Sequence, residues 1–217
     1  MSRKNIGVVR FLGTNCDRDV WQAVEDVGLT PQWIWYEDLF NPSDFSAIIL
    51  PGGFSYGDYI RGGALASRAP VMKSVKQAAD KGLPVLGICN GFQILCESGI
   101  LPGVLLKNQV PRFIDQWVRL EKVNNNPYWN QTEEEVYIPI AHGEGRFYVD
   151  NHTLKSMQDN GQIWLTYKEN PNGSVSDIAG ITNAAKNVAG LMPHPERAMH
   201  KWMGGEQGRE FFMGLIS

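Results

Sequence analysis

Three cysteines and four histidines occur in the 217-residue chain, and what each could do depends on its neighbours. Cys89 stands in Gly87-Ile88-Cys89-Asn90-Gly91. The G-x-C-x-G spacing is the thiol form of a nucleophile elbow, a strained strand-to-helix turn that lifts a reactive side chain above a sheet. Glycines two residues to either side let strand and helix come close around the turn. A helix starting directly beneath the sulfur favours the thiolate, which is the attacking form. A free cysteine more often just packs in a core, so Cys89 needs partners before it reads as a nucleophile.

Such a nucleophile needs a base, and the base needs an orienting acceptor. His194, in Pro193-His194-Pro195-Glu196-Arg197, follows an apolar run and has a carboxylate two residues on. In a proline-stiffened, extended segment residues i and i+2 point the same way, so Glu196 can accept from the ring. The other histidines are less well placed: His142 in Ala141-His142-Gly143-Glu144-Gly145, His152 in a polar loop beside Asp150, and His200 beside Lys201. The oxyanion formed by attack on an acyl carbon also needs donors. The amide of Asn90 and the loop Pro51-Gly52-Gly53-Phe54-Ser55-Tyr56-Gly57-Asp58 are candidates. Spacing alone stops at a cysteine-based acyl-transfer site of unspecified substrate.

The remaining thiols read differently. Cys16, in Gly13-Thr14-Asn15-Cys16-Asp17-Arg18-Asp19, also opens a helix after a strand. It lacks the flanking glycines, and Asp17 and Asp19 oppose a thiolate; it is expected to be structural, with Asn15 or Asp17 capping the helix. Cys96, two turns beyond Cys89, is expected to pack. An odd number of cysteines without CxxC spacing predicts neither a disulfide framework nor a zinc site. There is no G-x-x-x-x-G-K-[ST] loop, and nothing else reads as an ATP or dinucleotide site.

The elements that must position these residues follow from apolar periodicity. Residues 6–12 form an apolar run, 17–27 carry Val20, Val24 and Val27 on one helical face, and 32–36 alternate like a strand. A short apolar strand over 47–50 ends at Pro51-Gly52-Gly53, a helix spans 67–81, and the strand leading to Cys89 starts after Pro84. Strands alternating with helices predict a doubly wound, largely parallel sheet whose ligands sit beyond the carboxyl ends of its strands. The second half predicts strands over 110–123, 135–140, 162–167, 178–182 and 188–192 with no long helix between them, an antiparallel extension. A closing helix over 207–216 carries Phe211, Phe212 and Leu215 on its apolar side. Trp33-Ile34-Trp35-Tyr36 is read as sheet core rather than a stacking platform. Nothing marks a linker or repeat, so residues 1–217 are expected to form a single α/β domain.

Composition excludes several classes. A formal charge of −3 with scattered Lys and Arg leaves no basic footprint for nucleic acid. No uncharged apolar stretch is long enough for a bilayer, and Met1-Ser2-Arg3-Lys4-Asn5 runs straight into a strand without a signal-peptide core, so a cytoplasmic location is expected. Asn130-Gln131-Thr132, Asn151-His152-Thr153 and Asn172-Gly173-Ser174 match the glycosylation triplet, which matters only in a secreted chain.

The Cys89 elbow with Pro193-His194-Pro195-Glu196 resembles the class I, triad-type glutamine amidotransferases. Within that class, Gly13-Thr14-Asn15-Cys16-Asp17, Pro51-Gly52-Gly53-Phe54-Ser55-Tyr56-Gly57-Asp58-Tyr59, Ala141-His142-Gly143-Glu144-Gly145 and the run from Asn172 to Gly180 resemble the small glutaminase subunits of phosphoribosylformylglycinamidine synthase, a purine-pathway enzyme. The resemblance spans nearly the whole chain. It implies that Cys89 attacks the side-chain amide of glutamine, that His194 shuttles the proton and that Glu196 orients it. It further implies oxyanion donors around Gly53 and Asn90, a role for Gln93 in glutamine binding, and contact of the His142-Gly143-Glu144 loop, Gly143 included, with the amino-acid end. No cofactor is implied for this chain. ATP and Mg belong to a large synthetase subunit that consumes the ammonia with formylglycinamide ribonucleotide, often alongside a third small subunit. Two other readings stay open at this stage: a stand-alone cysteine hydrolase acting on γ-glutamyl amides, against which Gln93 and the PGGFSYGDY loop count, and a non-catalytic subunit that keeps the fold.

Overall fold

The structure, a computed structural model, describes residues 5–129 and 135–216. Met1 to Lys4 and the triplet at Asn130 lie outside the described residues. A nine-stranded sheet runs through them in the order β2-β1-β3-β4-β11-β10-β9-β6-β7.

Its first half is parallel: β2 (Thr30–Trp35), β1 (Asn5–Arg10), β3 (Ala47–Leu50), β4 (Val85–Ile88) and β11 (Val188–Leu191). Every residue of β3, β4 and β11 is buried, as expected of parallel strands covered on both faces. The covering helices are α1 (Asp17–Asp26), α2 (Val71–Asp80) and α3 (Asn90–Glu97). Register does the positioning. Gly87 of β4 sits opposite Leu50 of β3 and Gly190 of β11, so the three central strands end almost level. The segments leaving them, Pro51-Gly52-Gly53, Cys89 and Pro193-His194, therefore emerge together at the carboxyl edge. The Cys89 amide fixes this alignment by donating to the Leu191 carbonyl at 2.8 Å.

The second half is antiparallel: β10 (Ile178–Thr182), β9 (Ile163–Tyr167), β6 (Ile114–Lys122) and β7 (Glu135–His142). Its last strand returns to the same edge, where Pro139 accepts from the His194 amide at 2.8 Å. A two-stranded piece, β5 (Val104–Leu106) with β8 (Arg146–Tyr148), supports the loop that follows His142. The chain closes with α5 (Arg209–Met213) and a 3-10 turn, with Phe211, Phe212 and Leu215 buried as expected.

Two expectations need correction. The second half does contain a helix, α4 (Asn151–Asp159), and His152 lies in its first turn rather than in a loop. Asp150 caps it by accepting from the His152 and Thr153 amides, both at 2.9 Å. Only Met157 of this helix is buried, so it leaves no apolar periodicity to read. Trp33 and Trp35 are not core: β2 is the sheet's edge, both indoles are about a third exposed, and the Arg10 guanidinium lies 4.8 and 5.9 Å from their ring centroids.

Candidate active site

Between the last residue of β4 and the first of α3 there is one residue, Cys89. So abrupt a reversal forces a backbone that L-residues avoid, φ +50° and ψ −106°. It closes only because Gly87 and Gly91 leave room: a side chain at Gly91 would run into the Leu50 carbonyl, and one at Gly87 into Leu95 and the Gly91 backbone. The sulfur sits at the N-terminus of a helix whose residues 90–96 are all buried, with the Ala141 carbonyl 3.8 Å away.

His194 and Glu196 are each 1% exposed, and Nδ1 lies 2.6 Å from a Glu196 oxygen. The expected pair is present, reached by a different backbone. Pro195–Arg197 is a 3-10 turn, closed by the Arg197 amide on the His194 carbonyl, because proline suits the first position of a turn. Burial alone would push the His194 pKa down, but the Glu196 carboxylate and the Cys89 sulfur outweigh it and hold the imidazolium well above its ordinary range. Nε2, away from Glu196, is buried and makes no hydrogen bond within the chain.

Cys16 also lies beside this site. It is the N-cap of α1, with no side-chain cap from Asn15 or Asp17, and a side chain built on Gly52 would touch the Cys16 sulfur, the His194 ring and the Cys89 Cβ together. Asp17 is turned away to Arg10 at 2.6 Å, while Arg197 donates to the Cys16 sulfur at 3.1 Å. Among the described residues, Cys16, His194 and Glu196 are the one group whose ligand atoms converge within 4.8 Å. One Glu196 oxygen is committed to the ring and a guanidinium lies on the sulfur, so the donors suit proton transfer better than a cation. Cys96 packs, and burial raises its thiol pKa well above the ordinary value.

A cavity of about 130 Å³ opens at Cys89 and is lined also by Gly53, Phe54, Gln93 and Gly143. Gly53 adopts φ +145° where it crosses against Thr14 and Asn15. Asn90 does not line the cavity but ties its parts together: its side chain accepts from the Ser55 amide at 3.1 Å and donates to Gln93 Oε1 at 2.7 Å. Its backbone amide, in the first helical turn, is outside the helix's own ladder. Gln93 in turn donates to the Glu144 carbonyl at 2.6 Å.

Sequence reading missed Asn108, which holds the His142 loop through the His142 carbonyl, the His142 ring and the Gly145 amide. It also missed Phe113 on the cavity wall. Asn108 lies in a stretch without local pattern, and Phe113 falls within the strand expected over 110–123, which begins only at Ile114, so only the fold brings them in. Burial, aided by the charge on His194, pushes His142 down to about 4, so it stands neutral on the cavity wall with Cys89.

The fold and the site define an α/β protein that sets a cysteine on a strained elbow close to a buried histidine–glutamate pair at the carboxyl edge of a parallel sheet. The signature of the CobB/CobQ-like glutamine amidotransferase domain matches residues 3–210, and the chain belongs to this family. The solved structure of PurLQS from Thermotoga maritima has 43% identity and a TM-score of 0.90, covering 99% of this chain and 98% of that one. A glutamine amidotransferase from the same organism, 18% identical with a TM-score of 0.61 over 94% of this chain and 82% of that one, shares the fold.

Proposed function

We propose that this chain is the glutaminase subunit of a phosphoribosylformylglycinamidine synthase. The observation that carries the reading is the strained Cys89 elbow, set beside the buried His194–Glu196 pair and opening on a cavity sized for one small amino acid. Near-full-length similarity to PurLQS narrows the class to this subunit.

Cys89, as the thiolate, attacks the side-chain amide carbon of glutamine. The oxyanion is received by the Asn90 amide and backbone around Gly53. His194 gives its Nε2 proton to the leaving nitrogen, the C–N bond breaks, and ammonia departs from a γ-glutamyl thioester. His194 then takes a proton from water, which attacks the thioester and releases glutamate and free Cys89. Glu196 holds the ring by Nδ1 throughout. Gln93 and Gly143 contact the substrate from the cavity wall. The chain itself needs no cofactor; a large synthetase subunit, with ATP and Mg, consumes the ammonia, and a third small subunit completes the assembly. Among the described residues no helix is long and apolar enough to cross a membrane, and we place the complex in the cytoplasm.

The test is glutamate release from glutamine, with Cys89 trapped by a glutamine-analogue diazo-ketone. Labelling at Cys89 is expected, with glutaminase activity that rises when the synthetase subunit is added. A folded chain that is neither labelled nor active, alone or with the partner, would defeat the catalytic reading.

A further inference from the structure

The cavity at Cys89 has an uneven electrostatic wall. Asp58 and Glu144 both line it, and no lysine or arginine does. Arg61, three residues from Asp58, feels the charge of Glu144 but is committed to both oxygens of Glu97 at 2.6 and 2.7 Å, and Arg146, two residues from Glu144, donates to the Lys107 carbonyl at 3.1 Å. Lys107 and Arg112 line a neighbouring hollow that shares Phe113, Gly143 and Glu144 with this cavity, so they stand beyond it rather than inside it. His142, the remaining basic group on the wall, is neutral. Two carboxylates thus share a small cavity with Cys89, and no lysine or arginine lines it to pair with them.

The chain holds Asp58 in place at a conformational cost. Tyr56, Asp58 and Ile60 all have positive φ, and Ile60 is β-branched, the type least suited to it. The segment is pinned by the Tyr56 amide on the Leu12 carbonyl at 2.6 Å and the Ser55 amide on Asn90. Asn90 also reaches Asp58 Oδ1, at 3.4 Å, and Glu144 is fixed by the Gly62 amide at 3.0 Å. Both carboxylates are therefore placed by the network that carries Gln93 and the residue after the nucleophile.

We propose that Asp58, backed by Glu144, receives the α-ammonium group of the amino-acid substrate and so makes the site select glutamine over γ-amides that lack that group. The assignment rests on the glutaminase reading and adds the specificity-determining residue to it. Burial and then the charge of Glu144 raise the Asp58 pKa to about 6. A bound ammonium would reverse that, so Asp58 binds as the anion and loses the substrate as pH falls below about 6. The charged and titratable groups facing it are Glu144, Cys89 and His142, with Arg61 held by Glu97.

The test compares L-glutamine with 4-carbamoylbutanoate, the same γ-amide without the α-amino group, using the full chain in its complex. Wild-type protein is expected to favour glutamine by about 10²-fold in kcat/KM, as a charged hydrogen bond in a half-buried site allows. Asp58→Asn should cut that preference to within about tenfold by raising KM for glutamine, leaving kcat within about threefold. The ratio of the two kcat/KM values in wild type should fall below pH 6, because titration of Cys89 and His194 is common to both substrates and cancels. An Asp58→Asn enzyme that loses rate equally on both substrates, or a ratio flat from pH 5 to 8, would overturn the proposal and leave the glutaminase reading standing. Should Asp58→Asn fail to fold, the wild-type ratio still decides. A wild type that hydrolyses neither amide would overturn both.

Discussion

Two strand-to-helix turns meet at His194, and they use the same residue type in opposite ways. After β1 the chain takes six residues to reach α1, and Cys16, the last of them, sits in a relaxed backbone with φ −93° and ψ 9°. After β4 it takes one residue, and Cys89 is driven to φ +50°. Both cysteines are buried N-caps close to the same imidazole. The roomy turn lets its sulfur fall back against Arg197, whereas the tight turn holds its sulfur at the cavity mouth. Under the proposed mechanism, backbone geometry rather than the presence of a thiol near a base decides which thiol attacks.

The sharpest way to break the comparison is to remove each sulfur in turn. Cys89→Ala is expected to lower glutamine hydrolysis by about 10⁴-fold, the scale of losing a catalytic-triad nucleophile. If instead Cys16→Ala produced the large loss in a glutamate-release assay, the assignment would be reversed. Glu196→Gln comes next, at about 10²-fold or more. Glu196 holds the His194 pKa up, so its removal lowers that pKa and the alkaline limb of the kcat/KM profile should move to lower pH. An unmoved limb would mean that Glu196 does not support the ring.

The third perturbation reads the tightness of the elbow directly. Gly91→Ala puts a methyl group against the Leu50 carbonyl, with an expected stability loss of about 1–3 kcal/mol in urea unfolding. A neutral result would show that helix and strand can separate at no cost and that the elbow is less constrained than its dihedrals indicate. Cys16→Ala is the smallest, with activity within about tenfold of wild type, since it removes a neighbour of His194 and no bond-making atom.

The elbow and the P-H-P-E stretch were legible in the sequence because each is a contiguous segment whose chemistry depends on nearest neighbours. The alternating strands and helices of the first half were legible for the same reason, as were the antiparallel strands of the second. What escaped needed either exposure or distance. Helix α4 buries one residue and so shows no apolar face. Trp33 and Trp35 look like core residues until the strand order puts β2 at the edge. Cys16 reaches His194 and Arg197 across nearly the full length of the chain; of the acids flanking it in sequence, which argued against reactivity, Asp17 pairs with Arg10 and Asp19 faces the same Arg197 at 4.0 Å. The strands of the nine-stranded sheet each had a local signal, whereas β5, β8 and the register that brings the central strand ends level did not.

The left-handed backbone at Cys89 places function and stability under opposing selection. Glycine at that position would adopt the same dihedrals without a Cβ penalty, so Cys89→Gly is expected to unfold about 1 kcal/mol later than wild type while being inactive. A lineage or a screen that rewarded only thermal tolerance would discard the nucleophile among its first improvements.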